Sequence, residues 1–284
     1  MSFPYPARRL FAAPSGQKFE ISVVHRDFDP LPAPQEAFVK AEVARVRQFD
    51  PGFPAVSKML LAHNLKLEGN ELRLTCGVSA RKYMQATTQP AFVEQFGEGS
   101  VRKGVSMLAV TITADNKLIL GVRTPKTRYP IMRHCAPAGR LAAHENDPYN
   151  GIMAEYREEL GMDREDLQSI ACIGVVEDLV YGSLTYEFVF IGKTKLTARQ
   201  VIERAKGAKS ADEHPVLESL MWVPDYICDD ILLSEPDAWP PTGFAGVAMA
   251  LEYEFGAGYR IDWEPNPMLY GNYMGRRGPM VRIK

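Results

Sequence analysis

The stretch PAGRLAAHENDPYNGIMAEYREELGM, residues 137–162, constrains the chain more than any other. Asp147 suits a helix N-cap, because its side chain can accept from an unpaired N–H of the first turn. Pro148 suits the first helical position, where an N–H would have no partner anyway. Tyr149, Ile152 or Met153, Tyr156 and Leu160 recur at helical spacing, so the helix packs an apolar stripe on something. Gly161 is placed to end it in the left-handed conformation. The same helix carries Glu155, Glu158 and Glu159 within about 100° of arc. Like charges at i, i+3 and i+4 destabilise a bare helix by a few tenths of a kcal/mol per pair. The macrodipole also disfavours anions near a helix C-terminus. The plain reading is a solvated acidic face, softened by Arg157 and Arg164. The sharper one is a set of hard oxygen ligands aimed at a divalent cation such as Mg²⁺.

The pattern around this helix is mixed. VSMLAVTITADNKLILGVRT reads as two apolar strands joined at ADNK. SIACIGVVEDLV and LTYEFVFIGKT read as two more, and VLESLMWVP as another. TARQVIERAKG is a helix capped by Thr197, DYICDDILL a short helix, and PTGFAGVAMALEYEFG a buried helix running from Thr242 to Gly256. This is not the regular strand–helix alternation of a doubly wound sheet. It predicts an α/β fold of the α+β kind, a mixed sheet with helices on its faces.

The first hundred residues read differently. A Pro- and aromatic-rich start holds one short strand, KFEISVV. PQEAFVKAEVARVRQF carries Phe38, Val39, Val43 and Val46 at helical spacing. LKL, the turn EGN and LRLTCGV read as a hairpin. SARKYMQAT reads as a short helix with Ser79 as N-cap, and QPAFVEQFGEG as a second helical piece. The expected division is a small α+β extension over 1–100, serving substrate binding or dimerisation, a main domain over 101–262, and an extended tail over 263–284.

Of the 284 residues 46% are hydrophobic and 24% charged, enough for a sizeable core. The net charge of −2, with no long basic run before the tail, argues against a nucleic-acid partner while leaving room for a phosphate pocket. Four scattered cysteines without a CxxC suggest neither a thiolate zinc site nor a disulfide framework, and hence a reducing compartment. The N-terminus lacks the apolar segment of a signal peptide, and no run is long enough to cross a bilayer. The expectation is a cytoplasmic protein with no membrane partner.

Gly139, Glu145 after five intervening residues, and Glu155, Tyr156, Glu158, Glu159, Gly161 and Met162 together resemble the Nudix box, the signature of hydrolases of nucleoside diphosphates linked to another group. Two features depart from the family pattern. The spacer after Glu145 is one residue longer, and Ala154 stands where the family has an arginine. HPVLESLMWVP resembles the family's late strand. The resemblance covers roughly residues 101–256. It implies a Nudix α/β/α sandwich with a mixed sheet. It also implies Mg²⁺, with Mn²⁺ as a substitute, held by catalytic Glu155, Glu158 and Glu159, with the Gly139 carbonyl and Glu145 nearby.

LRLTCGVSARKYMQATTQP and the segments after the box are similar to the divergent branch that hydrolyses UDP-glucose and UDP-galactose. That likeness implies UMP and a hexose 1-phosphate as products, and a homodimer is compatible with it. ADP-ribose or dinucleotide hydrolysis, and a catalytically weak nucleotide sensor motivated by Ala154 and the longer spacer, stay open. Arg123, Lys126 and Arg128 are candidate phosphate contacts. Arg81 and Tyr83 are candidates to reach the nucleotide from the extension. Glu177, ahead of Glu187, is the expected additional acid. His134 and His144 flank the loop, where ordinary polar loop residues are the default.

Overall fold

The computed structural model describes residues 3–269 except 126, 128, 146, 183 and 211–213. In chain order the strands are β1 (Pro4–Tyr5), β2 (Ala7–Ala12), β3 (Glu20–His25), β4 (Lys58–Glu68), β5 (Glu71–Ala80), β6 (Lys103–Ile112), β7 (Lys117–Val122), β8 (Arg133–Cys135), β9 (Ala138–Arg140), β10 (Leu167–Asp178), β11 (Val180–Tyr181), β12 (Thr185–Thr194), β13 (Val216–Met221), β14 (Glu264–Pro265) and β15 (Met268–Leu269). The α-helices are α1 (Ala33–Phe49), α2 (Arg81–Thr87), α3 (Pro90–Phe96), α4 (Pro148–Leu160), α5 (Ala198–Ala205) and α6 (Pro241–Phe255).

Strand β6 organises the molecule. One edge pairs in parallel with β12 along nine residues, from Gly104↔Thr185 to Ile112↔Lys193. The opposite edge is shared by three antiparallel partners in turn: β4 at Lys103 and Gly104, β9 at Ser106–Leu108, and β7 at Thr111 and Ile112. Around it the sheet runs β2-β10-β12-β6-β4-β5-β3, with β7, β8, β9 and β13 attached at the split edge. Parallel and antiparallel pairs coexist, as the mixed pattern predicts.

Side chains alternate across a strand, and β6 shows both faces buried. Leu108, Val110 and Ile112 enter one core with α6, while Val105, Met107 and Ala109 enter a second with α4 and α5. Helices therefore cover both faces, a three-layer α/β/α arrangement of α+β composition. Helix α6 is buried from Pro241 through Leu251, as its nearly continuous apolar sequence requires.

The extension continues this sheet: β4 joins β6 and β2 joins β10. Strand β2 (ARRLFA) is absent from the sequence reading because two arginines interrupt its alternation. Ser79 does not cap α2. It lies inside β5, and Ala80 occupies the cap position with no side-chain bond. Ser79 Oγ instead accepts from the Arg102 guanidinium at 3.4 Å. Of the expected tail, Glu264 and Pro265 pair with β1, and Met268 and Leu269 with β11. Residues 270–284 lie outside the described residues. Among the described residues no helix is long and apolar enough to cross a membrane.

Candidate active site

Helix α4 forms as its sequence dictates. The Asp147 carboxylate accepts from Tyr149 N–H at 2.8 Å, Pro148 opens the helix, and Gly161 ends it at φ 62°. Ile152, Tyr156 and Leu160 are fully buried. The Tyr156 hydroxyl meets Thr111 Oγ1 at 2.9 Å on β6, and Tyr149 donates to the Phe19 carbonyl at 3.0 Å. These bonds fix both rotation and height of the helix against the sheet.

That rotation separates the three glutamates. Glu155 faces β9, and a methyl group on Gly139 would overlap its carboxylate, so the close approach requires glycine there. Glu159, four residues on, turns the same way and is 4% exposed. Its Oε2 accepts from Ala138 N–H at 3.1 Å and lies 3.3 Å from His214 Nε2. Its Oε1 is buried without a hydrogen-bond partner among the described residues. Glu158 points outward and pairs with Lys209 at 2.8 Å.

A cleft of about 350 Å³ opens beside this pair. Gly139, Arg140, Glu155, Arg123, His134, Asp178 and Glu187 contribute to its walls, together with the hydroxyl residues Ser106, Tyr129, Thr185 and Thr242. Burial pushes the Glu187 carboxyl up to about 7. The Thr242 and Ser106 hydroxyls pull it down, and the Asp178 charge pushes it up further. Burial, then the Arg123 charge, holds His134 well below the ordinary imidazole value, so the ring is neutral. Its Nδ1 lies 2.8 Å from the Cys135 carbonyl and carries the proton there. Asp178 accepts from the Tyr129 hydroxyl at 2.8 Å and from Val180 N–H at 2.8 Å.

The structure thus brings Gly139, Glu155, Glu159 and Arg123 to one place. Glu145 sits at the start of α4, where its Oε1 accepts from Asp147 N–H at 3.0 Å. Glu177 lies outside the cleft, bonded to Lys103 and 3.4 Å from Arg8. Adjacent residues on a strand face opposite ways, so Asp178 takes the cleft side that Glu177 does not. Arg81 stacks near the Phe53 ring, and Tyr83 lies under the Lys82 and Arg102 cations; neither lines the cleft. Lys126 and Arg128 lie outside the described residues. The sequence reading missed Asp178, Tyr129 and Thr242. It passed over Glu187, although an acid inside the apolar run TYEFVF was a signal that it needed a partner.

Two features bear on a divalent cation. Glu159 Oε1 is a buried carboxylate oxygen without a donor among the described residues, and such an atom is costly to bury unless something completes it. Among the described residues, however, no three His, Cys, Asp or Glu side chains gather into a ready-made cage. The two facts agree for Mg²⁺, which takes one or two carboxylates and fills its remaining positions with waters and substrate phosphates. Glu155 and Glu159 fit that role.

No family model matches the chain, and no curated protein matches it. Several solved structures are similar to it in part. DR0079 from Deinococcus radiodurans is 15% identical, with a TM-score of 0.41 over 67% of this chain and 97% of that one. A Nudix hydrolase from Nitrosomonas europaea is 17% identical, with a TM-score of 0.37 over 56% of this chain and 93% of that one. A bifunctional NMN adenylyltransferase/ADP ribose pyrophosphatase from Francisella tularensis, complexed with AMP and a Mn ion, is 14% identical, with a TM-score of 0.38 over 53% and 41%.

Proposed function

We propose that the chain is a Nudix-type hydrolase that uses Mg²⁺ or Mn²⁺ to cut the pyrophosphate bond of a nucleoside diphosphate linked to another group. The observation that carries this reading is the placement of Glu155 and Glu159 over β9, with Gly139 reduced to a bare backbone beneath Glu155 and Glu159 Oε1 lacking a donor among the described residues. The finer reading is a UDP-sugar as substrate, with UMP and a sugar 1-phosphate as products, and it rests on the resemblance of the segments flanking the box.

In this reading Glu155 and Glu159, with the Gly139 carbonyl, would hold the cation, while Glu158 stays at the rim, paired with Lys209. A bound divalent cation would neutralise pyrophosphate oxygens and make a water more acidic. Arg123 and Arg140 supply further positive charge to the phosphates along the cleft wall. A water attacks one phosphorus in line, the bridging P–O bond breaks, and two phosphate monoesters leave. The water's proton passes to a carboxylate facing the cleft, Glu155 or ionised Glu187. Asp178, Tyr129, Thr185 and Thr242 hold the part of the substrate beyond the phosphates.

Product analysis after incubation with Mg²⁺ and a panel of UDP-glucose, UDP-galactose, ADP-ribose and dinucleotides tests the reading. UMP and hexose 1-phosphate support the finer proposal. AMP from ADP-ribose keeps the reaction and changes the substrate. One observation favours a second reading, a nucleotide sensor with little turnover: Glu158 is held away by Lys209. Tight nucleotide binding with no product from any substrate would select it.

A further inference from the structure

His214 opens the HPVLESLMWVP stretch, yet it lines no part of the cleft and has no role in the steps above. It is nevertheless 8% exposed and built into the fold. It sits just ahead of β13, whose Val216 pairs with Val122 of β7. On β7 the neighbouring residue is Gly121, and a methyl group there would overlap the imidazole, so the sheet is hollowed at this point to seat the ring. From that seat Nε2 reaches to 3.3 Å from Glu159 Oε2. Ala138 N–H donates to the same oxygen.

Both contacts fall on Oε2, and Oε1 has no partner among the described residues. A purely structural contact would be poorly made in this way, because leaving a buried acceptor unmet costs roughly 1–3 kcal/mol. The asymmetry has a different use. The Ala138 N–H bond and the seated His214 ring both lie against Oε2 and fix the plane of the carboxylate, so that Oε1 is held in one direction for a ligand.

We infer that His214 is the positioning residue for Glu159, and that it orients Oε1 toward a divalent cation from behind. This rests on the metal-dependent reading above. His214 touches neither substrate nor cation. It acts through Glu159, and Gly121 acts through His214. Outer partners of this kind change metal affinity by about 10- to 100-fold.

The test uses Mn²⁺ alone as the probe, titrated into the full chain and followed by loss of the free-ion electron paramagnetic resonance signal. His214→Leu is expected to weaken Mn²⁺ binding about 10- to 100-fold. His214→Gln, which can present an amide N–H where Nε2 stood, is expected to recover most of it. Gly121→Ala, which displaces the ring without touching Glu159, is expected to weaken it in the same direction. Circular dichroism shows which variants are folded; should His214→Leu fail to fold, the Gly121→Ala and His214→Gln pair decides. A folded His214→Leu or Gly121→Ala variant that binds Mn²⁺ like the wild type overturns the inference and leaves the hydrolase reading standing. A glutamine variant no better than leucine overturns it too, because the ring would then act only by packing. If the wild type itself binds no Mn²⁺, with or without UMP, the failure lies in the reading of the site.

Discussion

Glu187 stands in the middle of an apolar strand, and burial raises its carboxyl to about 7 from an ordinary 4.5. An acid whose folded pKa is raised binds more protons folded than unfolded between those two values. Stability therefore falls as pH rises from about 4.5 to about 7 and stays lowered above it. The displacement corresponds to roughly 3 kcal/mol at most. Glu187→Gln, which cannot ionise, is expected to unfold at a higher temperature than the wild type at pH 8 and at nearly the same temperature at pH 4.5. Equal melting points at pH 8 would show that Glu187 is charged without cost. A second residue-scale expectation concerns Gly139. Gly139→Ala forces the Glu155 carboxylate to move, and turnover should drop about 10²-fold, while the melting temperature changes little. The glutamates and Gly139 were legible in the sequence because their spacing is local. Their separation into an inner pair and an outer Glu158 was not, because it depends on which arc of the helix meets β9.

Helix α4 shows why an element can be read from its ends. Its cap, its first proline, its apolar stripe and its stop are contiguous in sequence, and each carries its own physical reason. Asp147→Ala is expected to destabilise the protein by about 0.5–2 kcal/mol in chemical denaturation, through loss of the cap bond. Ile152→Ala should cost about 2–5 kcal/mol, since the side chain is fully buried beneath the sheet. An effect under 0.5 kcal/mol would mean that the helix docks less tightly than described. Strand β10 was legible as an element, but which of its acids enters the cleft was not. Glu177 and Asp178 are neighbours, and a strand sends neighbours to opposite faces. One residue of register decides between them, and a register shift lies within β10 itself, between Cys172 and Gly174 against β12. Ser79 failed as a cap because strand pairing in β5 runs through it, with Ser79 opposite Met59.

For the molecule as a whole, the mixed pattern of elements correctly predicted a mixed sheet covered by helices on both faces. What the sequence could not show is that the first hundred residues share that sheet, because pairing between β4 and β6, or β2 and β10, leaves no local trace. Phe19, Leu60, Leu72 and Leu74 of the extension lie in the same core as Ile152, Phe188 and Val201. Residues 101–284 expressed alone are therefore expected to lose cooperative unfolding. A sharp two-state transition for that fragment would establish two independent units. The central claim is that an inner carboxylate pair, not the whole acidic face, holds the cation for pyrophosphate hydrolysis. The most direct measurement is kcat with UDP-glucose and Mg²⁺ for Glu155→Gln, Glu158→Gln and Glu159→Gln beside the wild type. The expected result is a fall of about 10²-fold or more for the Glu155 and Glu159 variants and a change of only a few-fold for Glu158. Unchanged rates in the Glu155 and Glu159 variants, or the largest loss at Glu158, would contradict it.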